Sequence, residues 1–569
     1  MDGDLSAHRG SQPKLAPTPT RNFSLPFRRG GFASLCEALD YAAQGDTGFN
    51  FFEARGRLLH SLPYRELRTR AQAFARRLIG AGIARGERLL IIADTWPGFC
   101  VAFFGAQYAG VLPVPVSVPV GLGAKASYIE HLRRQIAASG AVGVVAPDDL
   151  AAYAVTAALG TTARLAGSMS TFEALPAPEV ELRPLSATEQ CYVQFSSGST
   201  RAPMGIDIRQ DRLMANIDGS IARQELNEDD SGVSWLPLYH DMGLIGFILA
   251  PMCAQRSVDL LAPHDFARRP TQWLSLISRR RATITYSPSF GYDLVARRAA
   301  TQMPADIDLS CLKLAGIGAD LIQAPVLQRF ADTFAAVGFD TRAFMPSYGM
   351  AELCVGLSFG RRFGGFRIDK LGKRDFVACG QPMAGHHVEI RNESGAAVSD
   401  RQVGRLFVQG PSVMPGYVGE PEATARVLKD GWLDTGDLGF WSDGEIVVTG
   451  RAKDLIIVNG RNIWPQDIEW AIEALPRLRQ GDACAFSVEF GAGEEVVVLV
   501  QSYVGDAEEL EALTGSIRQT VKETAGVDCR IELISRKFGL PLTSSGKLSR
   551  THAKAKFIAG DYAVRVAAE

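Results

Sequence analysis

Apolar residues return every three to four positions through LPYRELRTRAQAFARRLIGAGI (62–83), which predicts an amphipathic helix ended by its glycines. ERLLIIAD (87–94) follows as a short continuous apolar run, the pattern of a strand buried on both faces. The alternation continues to about residue 350. GAVGVVAP, ATITYSPS and CLKLAGIG have the pattern of further buried strands, each near a helical stretch such as YIEHLRRQIAAS. Helices alternating with such strands imply an α/β molecule whose largely parallel sheets are covered by helices.

The texture changes near Gly380. HHVEIRNESGAAVSD, GRLFVQGP and GEIVVTGR are short strand patterns broken by Gly, Asn, Asp and Pro turns, so a small β-barrel-like subdomain is expected over about 380–450. Beyond GRAKD the pattern becomes a compact α+β module. LIIV ends at the turn pair Asn459-Gly460, PQDIEWAIEAL starts a helix on its proline, EEVVVLVQSY and CRIELI read as strands, and DAEELEALTGSIRQTVKETAG reads as a helix between them. The expected organisation is a flexible tail over 1–22, a large N-terminal domain over 23–453, and a small C-terminal domain over 454–569.

Composition narrows the possibilities. At 569 residues the chain exceeds one ordinary domain, and 46% hydrophobic with 21% charged residues gives it ample core. A net charge of −2 argues against nucleic acid as a partner. Nine cysteines without a C-x-x-C pair suit a reducing cytoplasm. The N-terminus lacks the apolar core of a secretory signal. Residues 98–121 are interrupted by Gln107 and three prolines, and 243–254 fall short of the ~20 residues a membrane span needs, so no transmembrane segment is expected.

Five stretches carry candidate chemistry. The strand pattern CYVQF runs into SSGSTRAP, where hydroxyls, a glycine and successive backbone N–H groups can cradle an anion; Ser196, Ser197, Gly198, Ser199 and Thr200 form that loop. SWLPLYHDMGLIG sets His240 and Asp241 between apolar runs. MPSYGMAEL offers an aromatic ring at Tyr348, close backbone approach at Gly349 and a carboxylate for a hard cation at Glu352. GWLDTGDLG and GRAKD place Asp437 and Arg451 about one hairpin apart, a carboxylate there suiting a ribose diol. LPLTSSGKLSR projects Lys547 from a late loop. Taken singly, each is also what an ordinary polar turn shows, and for the His240-Asp241 pair and the Lys547 loop that is the commoner reading. Their order over some 350 residues is not what such turns show.

That ordered series resembles the acyl-adenylate-forming, or AMP-binding, superfamily over nearly the whole chain after the tail. AGVLPVPVSVP, SGSTRAPMG, SWLPLYHDMGLIG, SPSFGYDL and GRNIWPQDIE are most similar to its fatty-acyl-AMP ligases. The resemblance implies a ligase using ATP and Mg2+. A fatty acid would become an acyl-AMP with release of pyrophosphate, and the acyl group would pass to the phosphopantetheine thiol of a holo acyl carrier protein. It further implies that Ser196 to Thr200 grip pyrophosphate, that His240 lies by the carboxylate and α-phosphate, and that Gly318, Ala319 and Asp320 line the adenine with Tyr348 stacked on it. Glu352 would hold magnesium, Asp437 and Arg451 the ribose, and Lys547 would bridge carboxylate and α-phosphate as charge builds. Asp454 stands where the hinge of a swinging C-terminal domain is expected.

Three departures bear on these expectations. Met204 replaces the lysine of most superfamily phosphate loops, although fatty-acyl-AMP ligases often carry an arginine at the position of Arg201 and no lysine afterwards. The stretch from Glu352 to Gly380 is shorter than the ligase insertion that restrains domain motion and disfavours coenzyme A. Ile463-Trp464 stands where these ligases more often have a histidine-led pair. Two further readings therefore stand beside the first: an acyl-CoA synthetase, and a catalytically silent nucleotide-binding homologue.

Overall fold

The computed structural model describes residues 25–119, 125–195, 204–372, 374–458, 461–490, 493–502, 506–535, 539–543 and 548–562. Ser196 to Thr200, Arg201, the Asn459-Gly460 pair and Lys547 lie outside the described residues.

Two sheets dominate the larger part. The first has nine strands. Its middle six run parallel in the order Phe344–Tyr348, Leu314–Ile317, Ile284–Ser287, Gly232–Ser234, Val258–Leu261 and Gly48–Phe52. Antiparallel strands close both edges. Leu314–Ile317 and Ile284–Ser287 are buried at every position, as covering helices on both faces require. The second sheet has four parallel strands in the order Leu112–Val116, Arg88–Ile92, Gly143–Ala146 and Leu165–Ser168. Pro113 and Pro115 sit two apart on its edge strand Leu112–Val116, where prolines without N–H groups can be tolerated.

The helix expected over 62–83 begins later and ends sooner, at Tyr64–Gly80, because Pro63 stands in extended conformation at its N-cap. Residues Leu58–Pro63 instead pair antiparallel with Gly48–Phe52. The apolar stretch 243–254 is helical and includes a π turn over Ile245–Leu249. No helix among the described residues is long and apolar enough to cross a membrane.

After these sheets comes a five-stranded one built from His387–Arg391, Gly404–Gln409, Leu428–Lys429, Trp432–Ser442 and Glu445–Arg451. Residues beyond 455 build a separate unit, with the three-stranded sheet Ala483–Phe490, Gly493–Ser502 and Cys529–Ser535 between the helices Pro465–Glu473, Ala507–Ala525 and Arg550–Ile558. Its apolar side chains pack among themselves on both faces of that sheet.

The two parts touch through the hairpin Ile368–Leu371/Arg374–Val377, which lies inside the short stretch before Gly380. The Arg374 guanidinium donates to Asp467 Oδ1 (3.0 Å from Nε and 2.8 Å from Nη2) and lies 5.1 Å from the Trp464 ring. Trp464 packs so closely on Gly450 that a Cβ there would fall 2.7 Å from its ring. The Ile463-Trp464 departure is thus part of the contact between the two units.

Candidate active site

The carboxyl ends of the parallel strands carry the candidate chemistry, as open α/β sheets favour. Tyr348 ends the strand Phe344–Tyr348, and Gly318, Ala319 and Asp320 follow Leu314–Ile317. Ala319 turns with φ +68, an unusual backbone for a residue with a side chain. Gly349 leaves no room for a Cβ, which would lie 1.9 Å from the Val355 carbonyl oxygen. The close approach expected of that glycine is therefore to its own chain.

These ends open into one cavity of about 820 Å³, within the usual range for ligand sites. His240, Ala319, Tyr348, Gly349, Glu352 and Arg451 line it together, along with Met204. Gly318 and Asp437 are buried and Asp320 is exposed, and none of the three lines the cavity. Asp437 stands just behind it. Its Oδ2 accepts the Tyr348 hydroxyl at 2.7 Å, and its Oδ1 is 3.6 Å from Arg451 Nε. The two ribose candidates are direct cross-strand partners, so one hairpin of the five-stranded sheet presents both.

His240 caps the short helix Asp241–Leu244. Its Nδ1 lies 2.6 Å from Asp241 Oδ1, while the Met242 N–H reaches that same oxygen at 2.6 Å and Nδ1 only at 3.3 Å. Asp241 and the Met242 N–H thus both meet the ring on its Nδ1 side, which fixes its orientation in the cavity wall.

Burial raises the pKa of Glu352, opposed by hydrogen bonds that include the Tyr417 hydroxyl at 3.0 Å from Oε1. Burial works against the charge of Arg451, but Asp437, Asp454 and Glu352 outweigh it and raise its pKa. Lys453 responds oppositely. Burial and then the neighbouring Arg451 lower its pKa. The result is a cavity end holding several fixed charges of both signs.

Sequence reasoning did not single out Tyr417, Lys453 or His552. Lys453 and His552 line the cavity, as do Thr543 and Leu542 from the C-terminal unit, so both units contribute walls. Lys453 sat inside the recognised GRAKD stretch and could have been found there. Tyr417 and His552 lie in no recognised pattern. Asp454 accepts from Arg550 Nη1 at 2.9 Å and belongs to the short turn Ala452–Asp454 that joins the units.

A family model described as "AMP-binding enzyme" matches residues 51–418, about two-thirds of the chain. The chain belongs to the AMP-binding enzyme family. Relatives agree with the family assignment. A Caulobacter vibrioides protein with a provisional acyl-CoA synthetase name is 44% identical, over 96% of this chain and 99% of its own. The long-chain-fatty-acid–AMP ligase FadD32 of Mycolicibacterium smegmatis is 30% identical over 84% and 85%. Among solved structures, a fatty acyl-adenylate ligase from a study of the E. coli and L. pneumophila enzymes superposes with a TM-score of 0.90 at 39% identity, covering 95% of this chain and 100% of that one. This AMP-binding enzyme is a ligase of the acyl-adenylate-forming type, and ATP is its nucleotide substrate.

Proposed function

We propose that the protein activates a fatty acid and hands it to the phosphopantetheine thiol of an acyl carrier protein. The carrying observation is the cavity itself. One end is charged, with His240, Tyr348, Glu352 and Arg451. The other is walled by Phe247 and Ile284, with Phe359 and Ile245 between the two, as a carboxylate with a hydrocarbon tail requires. Tyr348 lies five register positions beyond Ile284 (one step to the level of Phe344, four along its strand), roughly 16 Å apart along the strand direction.

In the first step a carboxylate oxygen bonds to the α-phosphorus as the bond to pyrophosphate breaks. In the second, the thiol sulfur bonds to the acyl carbon and AMP leaves with the C–O electron pair. Ser196 to Thr200 would bind the departing pyrophosphate, and Lys547 would neutralise charge on the reacting groups. His240 is held in one orientation by Asp241 and presents Nε2 toward the carboxylate end. Ala319 borders the adenine from a turn that Gly318 and Asp320 shape, with Tyr348 stacked on the base while its hydroxyl holds Asp437 behind the ribose. Asp454 is proposed as the hinge at the boundary 453/454, about which residues 454–569 move.

Mg2+ is ordinarily held by one or two carboxylates together with substrate phosphates. Among the described residues no three His, Cys, Asp or Glu side chains gather as a ready-made metal site. Glu352, buried and with Tyr417 on one oxygen, is a donor that fits an ion arriving with ATP. When bound, the ion supplies charge neutralisation at the phosphates.

The carrier-protein acceptor is supported by a Moorena producens relative named a medium-chain-fatty-acid–[acyl-carrier-protein] ligase, 28% identical over 93% of this chain. The Arg374 hairpin, which grips the C-terminal unit despite its shortness, supports it too. Coenzyme A is the second reading, favoured by the name of the Caulobacter relative. A cytoplasmic location is supported by nine cysteines that are all free thiols. To test the function, the protein is given ATP, Mg2+ and a fatty-acid series, then holo carrier protein or coenzyme A, with products identified by mass spectrometry. Acyl-carrier protein is the expected product. Absence of acyl-AMP at every chain length would sink the activation step, and efficient acyl-CoA formation would replace the acceptor.

A further inference from the structure

The cavity wall carries two polar side chains, one of them at its apolar end, that the activation chemistry does not use. Ser220 and Gln224 lie four residues apart at the end of the helix Gln210–Arg223, on one face of it, and both line the cavity. The bonds around Gln224 place it at the far end, while Ser220, one helical turn back, lies nearer Gly356 and Met383. Arg362 Nη1 donates to the Gln224 carbonyl at 2.8 Å and to the Glu225 carbonyl at 2.9 Å. The same guanidinium pairs with buried Asp230 at 2.7 Å, and Asp230 accepts the hydroxyl of Thr283, the residue before Ile284. Ile284 starts its strand, whereas Tyr348 ends a parallel one, so Gln224 sits at the opposite edge of the sheet from the charged end.

The environment of these groups is poorly matched to a plain hydrocarbon. The Gln224 side-chain amide makes no hydrogen bond to any described residue. The Ser220 hydroxyl donates to the Met383 thioether at 3.7 Å, a weak acceptor. Phe247 and Ile284 stand nearby in the same wall. A methyl-terminated chain filling this end would strip water from an amide and return no hydrogen bond, a net cost. Withdrawal of Gln224 is opposed by its main chain, fixed through Arg362 to the ion pair with Asp230.

We infer that this cavity selects acyl chains bearing a hydroxyl or oxo group at or near the distal end, held by Gln224 with Ser220. The inference rests on the acyl-adenylation reading and adds the substrate class to it. An amide can both donate to an oxo group and accept from a hydroxyl, so one residue serves both forms. Discrimination of this kind works mainly against the wrong substrate, because the analogue lacking the oxygen covers the half-buried Gln224 amide and leaves it unmatched.

The test uses the full-length protein with ATP and Mg2+. First a series of unbranched fatty acids finds the best chain length by pyrophosphate release. Then the ω-hydroxy and (ω−1)-oxo acids of that length are compared with the plain acid. The wild type is expected to prefer the oxygenated acid in kcat/KM by roughly five- to tenfold, the worth of one hydrogen bond. Gln224→Leu is expected to lose that preference, with kcat/KM for the plain acid rising. Ser220→Ala should show a smaller loss of preference, and serves if the first variant folds poorly. Turnover of plain acids with equal or better kcat/KM in the wild type would overturn the inference and leave acyl activation standing. An unchanged ratio in both variants would also overturn it. No acyl-AMP from any acid would instead defeat the activation reading beneath it.

Discussion

Replacing Arg550 with alanine should destabilise the C-terminal unit by about 3–5 kcal/mol, the usual cost of stranding one partner of a buried ion pair. The geometry sets that scale. Arg550 Nε and Nη2 donate to the two oxygens of Glu469 at 2.8 and 2.5 Å, and Nη1 donates to Asp454 at 2.9 Å. Glu469 is only 4% exposed and Asp454 13%. Burial opposes the arginine's charge, yet Glu469 and Asp454 raise its pKa, so the cation holds on strongly. Without it, Glu469 keeps the Ala485 N–H at 2.9 Å and loses both charge-assisted bonds.

Hydrogen exchange read by mass spectrometry on 465–473 and 483–490 in the full-length protein measures the opening free energy locally. The pairing account requires more than a single loss. Arg550→Met combined with Glu469→Leu should recover part of the stability, because the more deeply buried carboxylate is no longer stranded and only Asp454 is left without its arginine. Asp454→Asn should cost less than Arg550→Ala, as Glu469 remains paired. A loss below about 1 kcal/mol in Arg550→Ala, or a double variant no better than the single one, would refute the reasoning. Arg550 also stands three residues after Lys547, so the single variant should lower kcat for acyl-AMP formation more than it raises KM for ATP.

Other outcomes follow from the same structure. Tyr417→Phe removes a donor from a Glu352 carboxyl whose pKa burial already raises, so that pKa rises further. On the proposed role of Glu352 as an ionised magnesium donor, the acid limb of the pyrophosphate-release profile should move to higher pH; an unmoved limb would count against Glu352 as the required carboxylate. Glu473 is pushed from 4.5 to about 8 by burial and then by Glu469. The native state therefore keeps a proton that the unfolded chain releases, and stability of the C-terminal unit should fall between about pH 4.5 and 8, by at most about 1.4 kcal/mol per pH unit. Glu473→Gln should flatten that slope in denaturant titrations at several pH values, and an equal slope in both proteins would contradict it. Lys547→Ala should abolish acyl-AMP formation while ATP still binds by calorimetry. Normal adenylate yield would remove the role assigned to that lysine.

Alternation of helical and buried-strand patterns was enough to anticipate parallel sheets, because strands buried on both faces leave uninterrupted apolar runs such as LLII and GVVA. The helix boundary at Tyr64 escaped the same logic. Leu62 is buried as firmly from the strand as it would be from a helix, so its apolar character did not distinguish the two. In the site, side chains carried by short recognisable stretches could be named individually: His240, Tyr348, Glu352 and Arg451 do line one cavity. What periodicity could not supply was contact across sequence distance. Tyr417 meets Glu352 from 65 residues away, and Arg550 meets Asp454 from 96. Gln224 reads as an ordinary helix end until the Arg362–Asp230–Thr283 chain shows which edge of the sheet it occupies.

The short stretch before Gly380 shows why length misleads. Measured along the sequence, it argues for a loosely held C-terminal unit and thus for coenzyme A as acceptor. Restraint, however, depends on contacts and their placement. A single hairpin delivers Arg374, whose guanidinium is held between Asp467, the Trp464 ring and the Phe376 ring 4.6 Å away. Burial lowers the pKa of Arg374 and raises that of Asp467, so each charge is partly stripped of water and depends on the other. An ion pair of this kind, backed by aromatic faces, is strong enough to bias a domain orientation, because moving the unit would leave both charges unmatched. Trp464, which marks a departure from the usual pair at its position, supplies one of those faces. The shortened stretch, which alone weakened the carrier-protein reading, and the Ile463-Trp464 departure meet in one contact between the units.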